Sequence, residues 1–252
     1  KGGWYHINYD NMVFVTGGGS HYVKERIYKA SGIFRKYSFN DSKKSWDMNK
    51  NLWKNTGRKL MYFDGSGTCT ILYDQASNIL YRYISSSKSY KRVSNVIDKL
   101  NGSRYYFYDA NGNRRTSSGW KKVNGSTAYY VCDCGYVTSR YTDQKGTKKV
   151  YDFDYSKNTW VQKKNMWKTV YRSRYYFGSK GVATMSYNNS TKKAYKFTGR
   201  KWKPAKKLIM KIGNANYYFN SAAKRVVKAG KYKTADGYIA YVNRRGVVYK
   251  RE

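Results

Sequence analysis

Tryptophan with a lysine neighbour recurs along the chain, and this combination suits the recognition of a charged sugar polymer. An indole ring stacks on the face of a sugar or a base, and an ammonium group beside it pairs with a phosphate. The alternative, that the indole rings fill the core between hairpins, stays open. The candidate residues in these segments are Trp53, Trp120, Lys121, Lys122, Trp167, Lys168 and Trp202.

A second set of candidate rings occupies the middle position of aromatic-x-aromatic triplets. Because side chains alternate across a strand, the first and third residues share a face and the middle one points away. Pairs such as Tyr37 with Phe39 and Tyr151 with Phe153 therefore predict the core face. A middle tyrosine that points outward either binds a ligand or packs on the next hairpin. The middle-position tyrosines are Tyr62, Tyr106, Tyr130, Tyr176 and Tyr218.

Catalytic combinations are scarce. Glu25 and the terminal Glu252 are the only glutamates, so a glutamate-based glycosidase pair is not available. With two histidines, the sequence offers no nucleophile, base and orienting group that belong together. We therefore predict that this chain is not an enzyme, and that any catalytic domain lies elsewhere in a longer protein to which it is covalently attached.

The three cysteines do not form a recognisable framework. Cys132 and Cys134 lie two apart in a strand-like stretch, so they share a face and a bridge between them would be strained. We interpret them as small side chains on a strand. With His6 and His21 as the only further soft ligands, no zinc pattern can be built, and the sequence predicts neither a metal nor a cofactor.

The composition indicates what kind of fold must position these residues. The 252 residues include 51 Lys and Arg against 14 Asp and Glu, which gives a net charge of +37. Aliphatic residues are few, as in disordered chains, but 30 Tyr, 7 Trp and 9 Phe supply the missing apolar area. Gly and Tyr are poor helix formers, so an all-β fold is favoured. The longest apolar run, at 12–15, is far too short for a membrane span.

The chain is an array of repeats. Aromatic, tryptophan and glycine positions recur 111–114 residues apart, which divides it into a partial N-terminal repeat at 1–36 and tandem copies at 37–150 and 151–252. Within each copy the triplets recur every 20–24 residues, and most run into glycine- or asparagine-rich turns. We predict tandem β-hairpin repeats that form a solenoid-like array of four to five hairpins per copy.

The segment from Gly119-Trp120 through Gly135 resembles the Gly-Trp repeat of Gram-positive cell-wall-binding modules. That family includes choline-binding repeats, the glucan-binding repeats of glucansucrases and the repeats of large clostridial toxins. Residues 100–112 are a second match, and the weaker ones bring the coverage to about a third of the chain. The resemblance implies a hairpin solenoid that holds a secreted protein on wall polymer or glucan.

The sequence also departs from this family. The hairpins at 37–52, 72–86, 151–166 and 185–200 lack the Gly-Trp start. A net charge of +37 repels the cation choline and attracts anions, so choline is disfavoured as the ligand. The basic composition is similar to that of lactobacillar wall-anchoring and surface-layer proteins, which hold anionic teichoic acid or neutral wall polysaccharide.

Together these features predict a secreted or cell-wall-associated binding module whose partner is wall polysaccharide or teichoic acid. Weak contacts in several repeats would add up through avidity. One alternative is a neutral α-glucan-binding domain of a glucansucrase-type enzyme. Another is a nucleic-acid-binding protein, since a pI near 10 with interleaved aromatic residues is typical of single-strand binders. Nonspecific binding of polyanions is expected in any case.

Overall fold

The described residues are almost wholly β-structure. In a computed structural model they comprise 1–8, 10–19, 21–102 and 104–252, so that Ser103 in the motif at 100–112 lies outside them. Strands account for 57% of the chain and helix for 1%. The helical part is a single 3-10 turn at Ser85–Ser87, and within the described ranges no helix has the length and apolarity that a membrane span requires. The prediction of an all-β array of hairpins is confirmed.

The chain folds into two compact units. The N-terminal unit comprises 1–117 and 133–136, and the C-terminal unit comprises 118–132 and 137–252. The repeat boundaries at 37 and 151 stay a prediction. Both boundaries fall inside a strand, the first at Ile33–Asn40 and the second at Thr147–Asp154.

The N-terminal unit contains three antiparallel sheets in which each strand pairs with its neighbour in sequence. Sheet 1 consists of β1 (Gly3–His6), β2 (Asn11–Val15), β3 (Val23–Ala30), β4 (Ile33–Asn40) and β5 (Ser45–Met48). Sheet 2 consists of β6 (Leu52–Asn55), β7 (Lys59–Phe63), β8 (Cys69–Asp74), β9 (Ile79–Ile84) and β10 (Ser89–Arg92). Sheet 3 consists of β11 (Val96–Lys99), β12 (Tyr105–Tyr108) and β13 (Arg114–Arg115).

The C-terminal unit contains four such sheets. Sheet 4 consists of β14 (Gly119–Lys122), β15 (Thr127–Val131), β16 (Val137–Gln144), β17 (Thr147–Asp154) and β18 (Thr159–Gln162). Sheet 5 consists of β19 (Met166–Val170), β20 (Ser173–Phe177), β21 (Ala183–Asn188), β22 (Ala194–Phe197) and β23 (Trp202–Pro204). Sheet 6 consists of β24 (Leu208–Ile212) and β25 (Ala215–Phe219), and sheet 7 of β26 (Gly230–Lys233), β27 (Ile239–Val242) and β28 (Val248–Arg251).

The triplets end in a recurring irregularity that sets the next strand's register. In β7, β20 and β27 the pairing shifts between the second and third triplet residues, and a turn follows. Gly67, Gly181 and Gly246 close these turns with φ of +77°, +69° and +72°. Each donates its N–H to the carbonyl three residues earlier at 2.8–2.9 Å. Glycine suits this position because a side chain rarely adopts this left-handed conformation, although Ala223 takes it with φ of +57° in the corresponding turn after β25.

Within each unit, successive sheets pack face to face. Sheet 2 buries one face against sheet 1, where Phe63 meets Phe34, and its other face against sheet 3, where Leu80 meets Tyr108. In the C-terminal unit, Val150 of sheet 4 meets Phe177 of sheet 5. Sheet 5 continues onto sheet 6, and sheet 6 onto sheet 7. An interior sheet therefore has no solvent face, so both sets of alternating side chains must be at least partly apolar.

One of the predicted core faces is wrong. In β4 the deeply buried face carries Phe34 and Lys36, and the middle triplet residue Ser38 lies on that face. Tyr37 and Phe39 therefore lie on the opposite face. Polar partners for Lys36 make this reversal possible, and the aromatic spacing alone did not reveal them. In β17, Phe153 is buried as predicted, and Val150 on the opposite face is buried against sheet 5.

The expectation for Cys132 and Cys134 is also wrong, because both are disulfide-bonded. The strand ends at Val131, and residues 133–134 form a turn. The two cysteines therefore do not sit on one extended strand, which was the premise of the strain argument. Cys69 is free and buried, and burial raises the pKa of its thiol to about 12.

Candidate functional site

The structure brings the predicted tryptophans and tyrosines together as pairs across neighbouring strands. Trp53 lies opposite Tyr62, with ring centroids 5.3 Å apart. Trp120 lies opposite Tyr130 at 5.5 Å, and Trp167 lies opposite Tyr176 at 5.6 Å. The Gly-Trp strand and the triplet strand thus form the two arms of one hairpin, and the same pair recurs in three sheets.

Each of these pairs also packs on the neighbouring sheet. Trp53 lies against the cluster that contains Leu60 and Tyr108, and Trp120 lies against the cluster that contains Val170. The indole Nε1 of Trp120 donates to the carbonyl of Thr169 at 2.9 Å. All six paired rings are half-buried, so each one combines a packing surface with an accessible edge.

The other three predicted rings are more fully engaged. The indole Nε1 of Trp202 donates to the carbonyl of Gly146 at 3.0 Å. The ring of Tyr106 is covered by the Arg114 guanidinium, whose carbon lies 4.1 Å from the ring centroid. Tyr218 is only 4% exposed, and its face is stacked on a neighbouring tyrosine ring at 5.2 Å. A ring occupied in this way offers no face to a ligand.

Two of the three predicted lysines, Lys121 and Lys168, do not lie on the face of the neighbouring tryptophan. Consecutive strand residues point to opposite faces, so Lys121 lies opposite Tyr129 while Trp120 lies opposite Tyr130. Lys168 contacts Asp152, with 3.2 Å between Nζ and Oδ1. Lys122 is exposed and shares the face of Trp120. A single Trp-Lys dipeptide therefore does not present its ring and its cation to the same sugar-phosphate unit.

A buried ionic cluster in the N-terminal unit escaped the sequence reasoning. Lys36 is 2% exposed, and its Nζ lies 2.9 Å from Oε1 of Glu25 and 2.7 Å from the side-chain oxygen of Asn49. Lys54 approaches the other oxygen of Glu25 at 2.5 Å. The only available signal was the presence of a rare glutamate in a lysine-rich chain.

The electrostatics of this cluster follow from its burial. Burial alone would raise the pKa of Glu25, but hydrogen bonds and charge from Lys54 and Lys36 more than offset it and lower that pKa. Burial lowers the pKa of Lys36, because water no longer solvates its ammonium group. With all groups paired, the cluster holds β3, β4 and β6 together and is not poised for proton transfer.

The C-terminal unit carries a long basic stretch without a single carboxylate. Residues 155–235 contain 21 Lys and Arg and no Asp or Glu. Seventeen of these cations are exposed, and they are distributed over the strands and turns of sheets 5, 6 and 7 and the turn at 155–158. A surface of this kind attracts polyanions, because the few carboxylates beside it, such as Asp154 and Asp236, offset only a small part of its charge.

A cavity in the N-terminal unit joins rings and cations. It has a volume of about 260 Å³ and lies between sheets 1 and 2, with Phe34, Leu72 and Tyr81 as its apolar wall. Lys29 and Lys88 line the same space. The sequence could not reveal it, since the residues of its two walls lie 38 to 61 positions apart. Among the described residues, no group of three or more His, Cys, Asp or Glu could hold a metal ion.

Several solved structures are similar to this chain over most of its length. Alternansucrase in complex with isomaltononaose is 14% identical and covers 98% of this chain, with a TM-score of 0.25. Choline binding protein F from Streptococcus pneumoniae, solved with a peptidoglycan analogue, is 17% identical and covers 98%, with a TM-score of 0.27. The autolysin LytC from the same organism is 16% identical and covers 89%, with a TM-score of 0.22.

The lengths of these proteins differ widely. The chain spans 18% of the alternansucrase, 52% of LytC and 92% of choline binding protein F. No family model matches the chain, and no curated protein sequence matches it. The chain resembles Gram-positive cell-wall- and glucan-binding repeat modules, as its Gly-Trp motifs indicate. Because TM-scores this low superpose few residues, the function is argued below from this chain's own surface.

Proposed function

We propose that the chain is a non-catalytic module that binds an anionic cell-wall polymer of the teichoic acid class at the surface of a Gram-positive cell. The observation that carries this proposal is the acid-free stretch at 155–235, with 17 exposed cations in one compact unit. A polymer with regularly spaced phosphates is complementary to cations that are spread over several sheets. A compact anionic partner could contact only a few of them.

The expected binding energy is electrostatic and distributed. Each exposed cation contributes little, because water and salt screen it with a Debye length of about 8 Å at physiological ionic strength. Binding a polyanion releases its condensed counterions, and the logarithm of the affinity falls by roughly 0.7 per neutralised phosphate per logarithm of salt concentration for a flexible strand. Tight binding at low salt that weakens steeply with added salt is therefore the signature of this mechanism.

The half-buried rings have a secondary role in this proposal. Trp53 with Tyr62, Trp120 with Tyr130, and Trp167 with Tyr176 would offer the exposed parts of their rings to the sugars or polyols between phosphates. An apolar contact of this kind is insensitive to salt. A neutral α-glucan domain would depend on these rings alone, so salt dependence separates the two functions.

The test compares two triple variants that remove the same charge. Lys193→Ala/Lys201→Ala/Lys203→Ala lies in the acid-free stretch, and Lys43→Ala/Lys50→Ala/Lys91→Ala removes three exposed lysines of the N-terminal unit. We expect the first variant to lower the affinity for poly(glycerol phosphate) teichoic acid. The slope of the logarithm of affinity against the logarithm of salt concentration should become shallower by about 2, since each of the three lost contacts contributes about 0.7. The control should change the slope by less than half as much.

Three ligands are compared at matched salt: teichoic acid, dextran and single-stranded DNA. Preference for dextran, or affinity unchanged from 50 mM to 1 M salt, would contradict the proposal in favour of neutral glucan binding. Equal affinity for DNA and teichoic acid, with both triple variants alike, would indicate that binding is nonspecific attraction between opposite charges.

A further inference from the structure

A second cavity lies within the basic surface of the C-terminal unit. Its volume is about 270 Å³, and it is bounded by sheets 5, 6 and 7 and the segment before β24. Lys196, Lys206 and Arg251 line it, and Leu208 and Ile209 form its apolar side. Building on the proposed function, we infer that this cavity is a specific subsite for one polyol-phosphate or sugar-phosphate unit of the polymer.

The three cations reach the cavity from separate parts of the fold. Lys196 comes from β22, Lys206 from the segment between β23 and β24, and Arg251 from β28. Within the described part of the chain, neither Lys196 nor Lys206 lies within ion-pair distance of a carboxylate, although the charge of Lys196 helps to lower the pKa of Asp236. Convergence from two sheets and a connecting segment is what distinguishes this site from the lysines scattered over the rest of the surface.

Arg251 is held in position before any ligand arrives. The carbon of its guanidinium lies 3.8 Å from the ring centroid of Tyr238. One of its nitrogens, Nη2, lies 2.9 Å from Oδ2 of Asp236. A guanidinium stacked and paired in this way loses little further freedom when it binds an anion, and its remaining N–H groups suit phosphate oxygens.

The charge and size of the cavity select the ligand class. Three cations against the single carboxylate of Asp236 leave an excess of two positive charges. A phosphate monoester, such as a terminal unit of the polymer, carries about 1.5 to 2 negative charges at neutral pH, whereas an internal phosphodiester carries one, so the excess charge suits either. At about 270 Å³, the cavity lies just below the roughly 300–1,000 Å³ of drug-sized ligand sites, so it accommodates one small unit and not an oligosaccharide. The apolar side contacts the carbon chain of that unit.

The experiment titrates the whole chain with sn-glycerol 3-phosphate, glycerol and inorganic phosphate by calorimetry. We expect glycerol phosphate to bind with one-to-one stoichiometry, glycerol not to bind, and inorganic phosphate to bind at least fivefold more weakly. Lys196→Ala/Lys206→Ala should weaken glycerol phosphate binding at least tenfold. The matched control Lys224→Ala/Lys228→Ala removes two exposed lysines of the same stretch that do not line the cavity, and it should change the affinity less than twofold.

A gain-of-affinity variant protects the test against misfolding. Asp236→Asn removes the cavity's only carboxylate and should tighten glycerol phosphate binding two- to fivefold. Equal weakening by both lysine pairs, or equal affinity for inorganic phosphate, would overturn the inference. If teichoic acid still binds in a salt-dependent way, the proposed function survives that result. If glycerol phosphate binds at the cavity but teichoic acid does not bind, the cavity is a site for a small phosphate ester, and both its assignment to the polymer and the proposed function fail.

Discussion

Replacing Glu25 by Gln tests whether the buried ionic cluster stabilises the N-terminal unit. The substitution keeps the size of the side chain but removes the only carboxylate between Lys36, which is 2% exposed, and Lys54. Removing one partner of a buried ion pair costs about 3–5 kcal/mol, because the remaining charge is left uncompensated. Lys36 keeps its hydrogen bonds to Ser38 and Asn49, so we expect the lower end, about 3 kcal/mol.

The assay is urea unfolding followed by tryptophan fluorescence at pH 7. The control Asp41→Asn removes the carboxylate of the exposed pair with Lys24, and because water screens that pair the control should lose little stability. Adding Lys36→Met to Glu25→Gln removes the uncompensated buried charge, and it should recover more than half of the lost stability. A Glu25→Gln variant within about 0.5 kcal/mol of the control would refute the reasoning, since surface substitutions have effects of that size.

The pH dependence provides a second check on the same variant. The pKa of Glu25 is lower in the folded chain than its ordinary value of 4.5. Its contribution to stability is therefore fully present above 4.5 and is lost as the pH falls through the folded-state pKa. The difference between the wild type and Glu25→Gln should shrink as the pH is lowered below 4.5. A difference that stays constant down to pH 2.5 would mean that the charge of Glu25 is not what stabilises the unit.

Three further substitutions test other parts of the structure. Tyr218→Phe removes a hydroxyl that donates to the backbone carbonyl of Lys233 at 2.8 Å. Urea unfolding should show that the free energy of unfolding falls by about 1–3 kcal/mol. The control Tyr62→Phe, at a half-buried ring, should be near neutral. Gly32→Ala places a Cβ 2.1 Å from a backbone oxygen at φ +81°, so its melting temperature should fall further than that of Gly57→Ala, where φ is +83° and nothing lies within 4 Å. Burial alone would raise the pKa of Asp152, but a hydrogen bond from Ser139 and the charges of two lysines lower it. Asp152→Asn should therefore destabilise the chain at pH 7. The stability difference between the wild type and this variant should vanish as the pH falls below 3.8.

Local signals predicted the hairpins well. The Gly-Trp strand, the aromatic triplet and the closing glycine are contiguous, and together they determine a hairpin through strand pairing and a left-handed turn residue. Trp120 opposite Tyr130 follows from that local geometry. The predicted face of β4 was wrong, because its outcome depends on the partner Glu25 of the buried Lys36, which lies in another strand.

The candidate binding residues also show which properties local sequence predicts and which depend on neighbours in space. Tyr62 and Tyr176 are half-buried while Tyr218 is buried, although all three occupy the middle of the same aromatic triplet. Lys121 and Lys168 do not lie beside their tryptophans because consecutive strand residues point to opposite faces. The cavity bounded by Lys196, Lys206 and Arg251 has no local signature at all, because its walls come from three sheets.

The sequence by itself determined that this chain is an aromatic-rich array of β-hairpins with a large positive charge. Those properties depend on composition, strand alternation and turn residues, which act over a few positions. The tertiary structure alone decided which rings are covered, which cations are neutralised by a buried carboxylate and which converge on a cavity. Those outcomes depend on how one sheet stacks on the next, and stacking brings together residues that no local spacing relates.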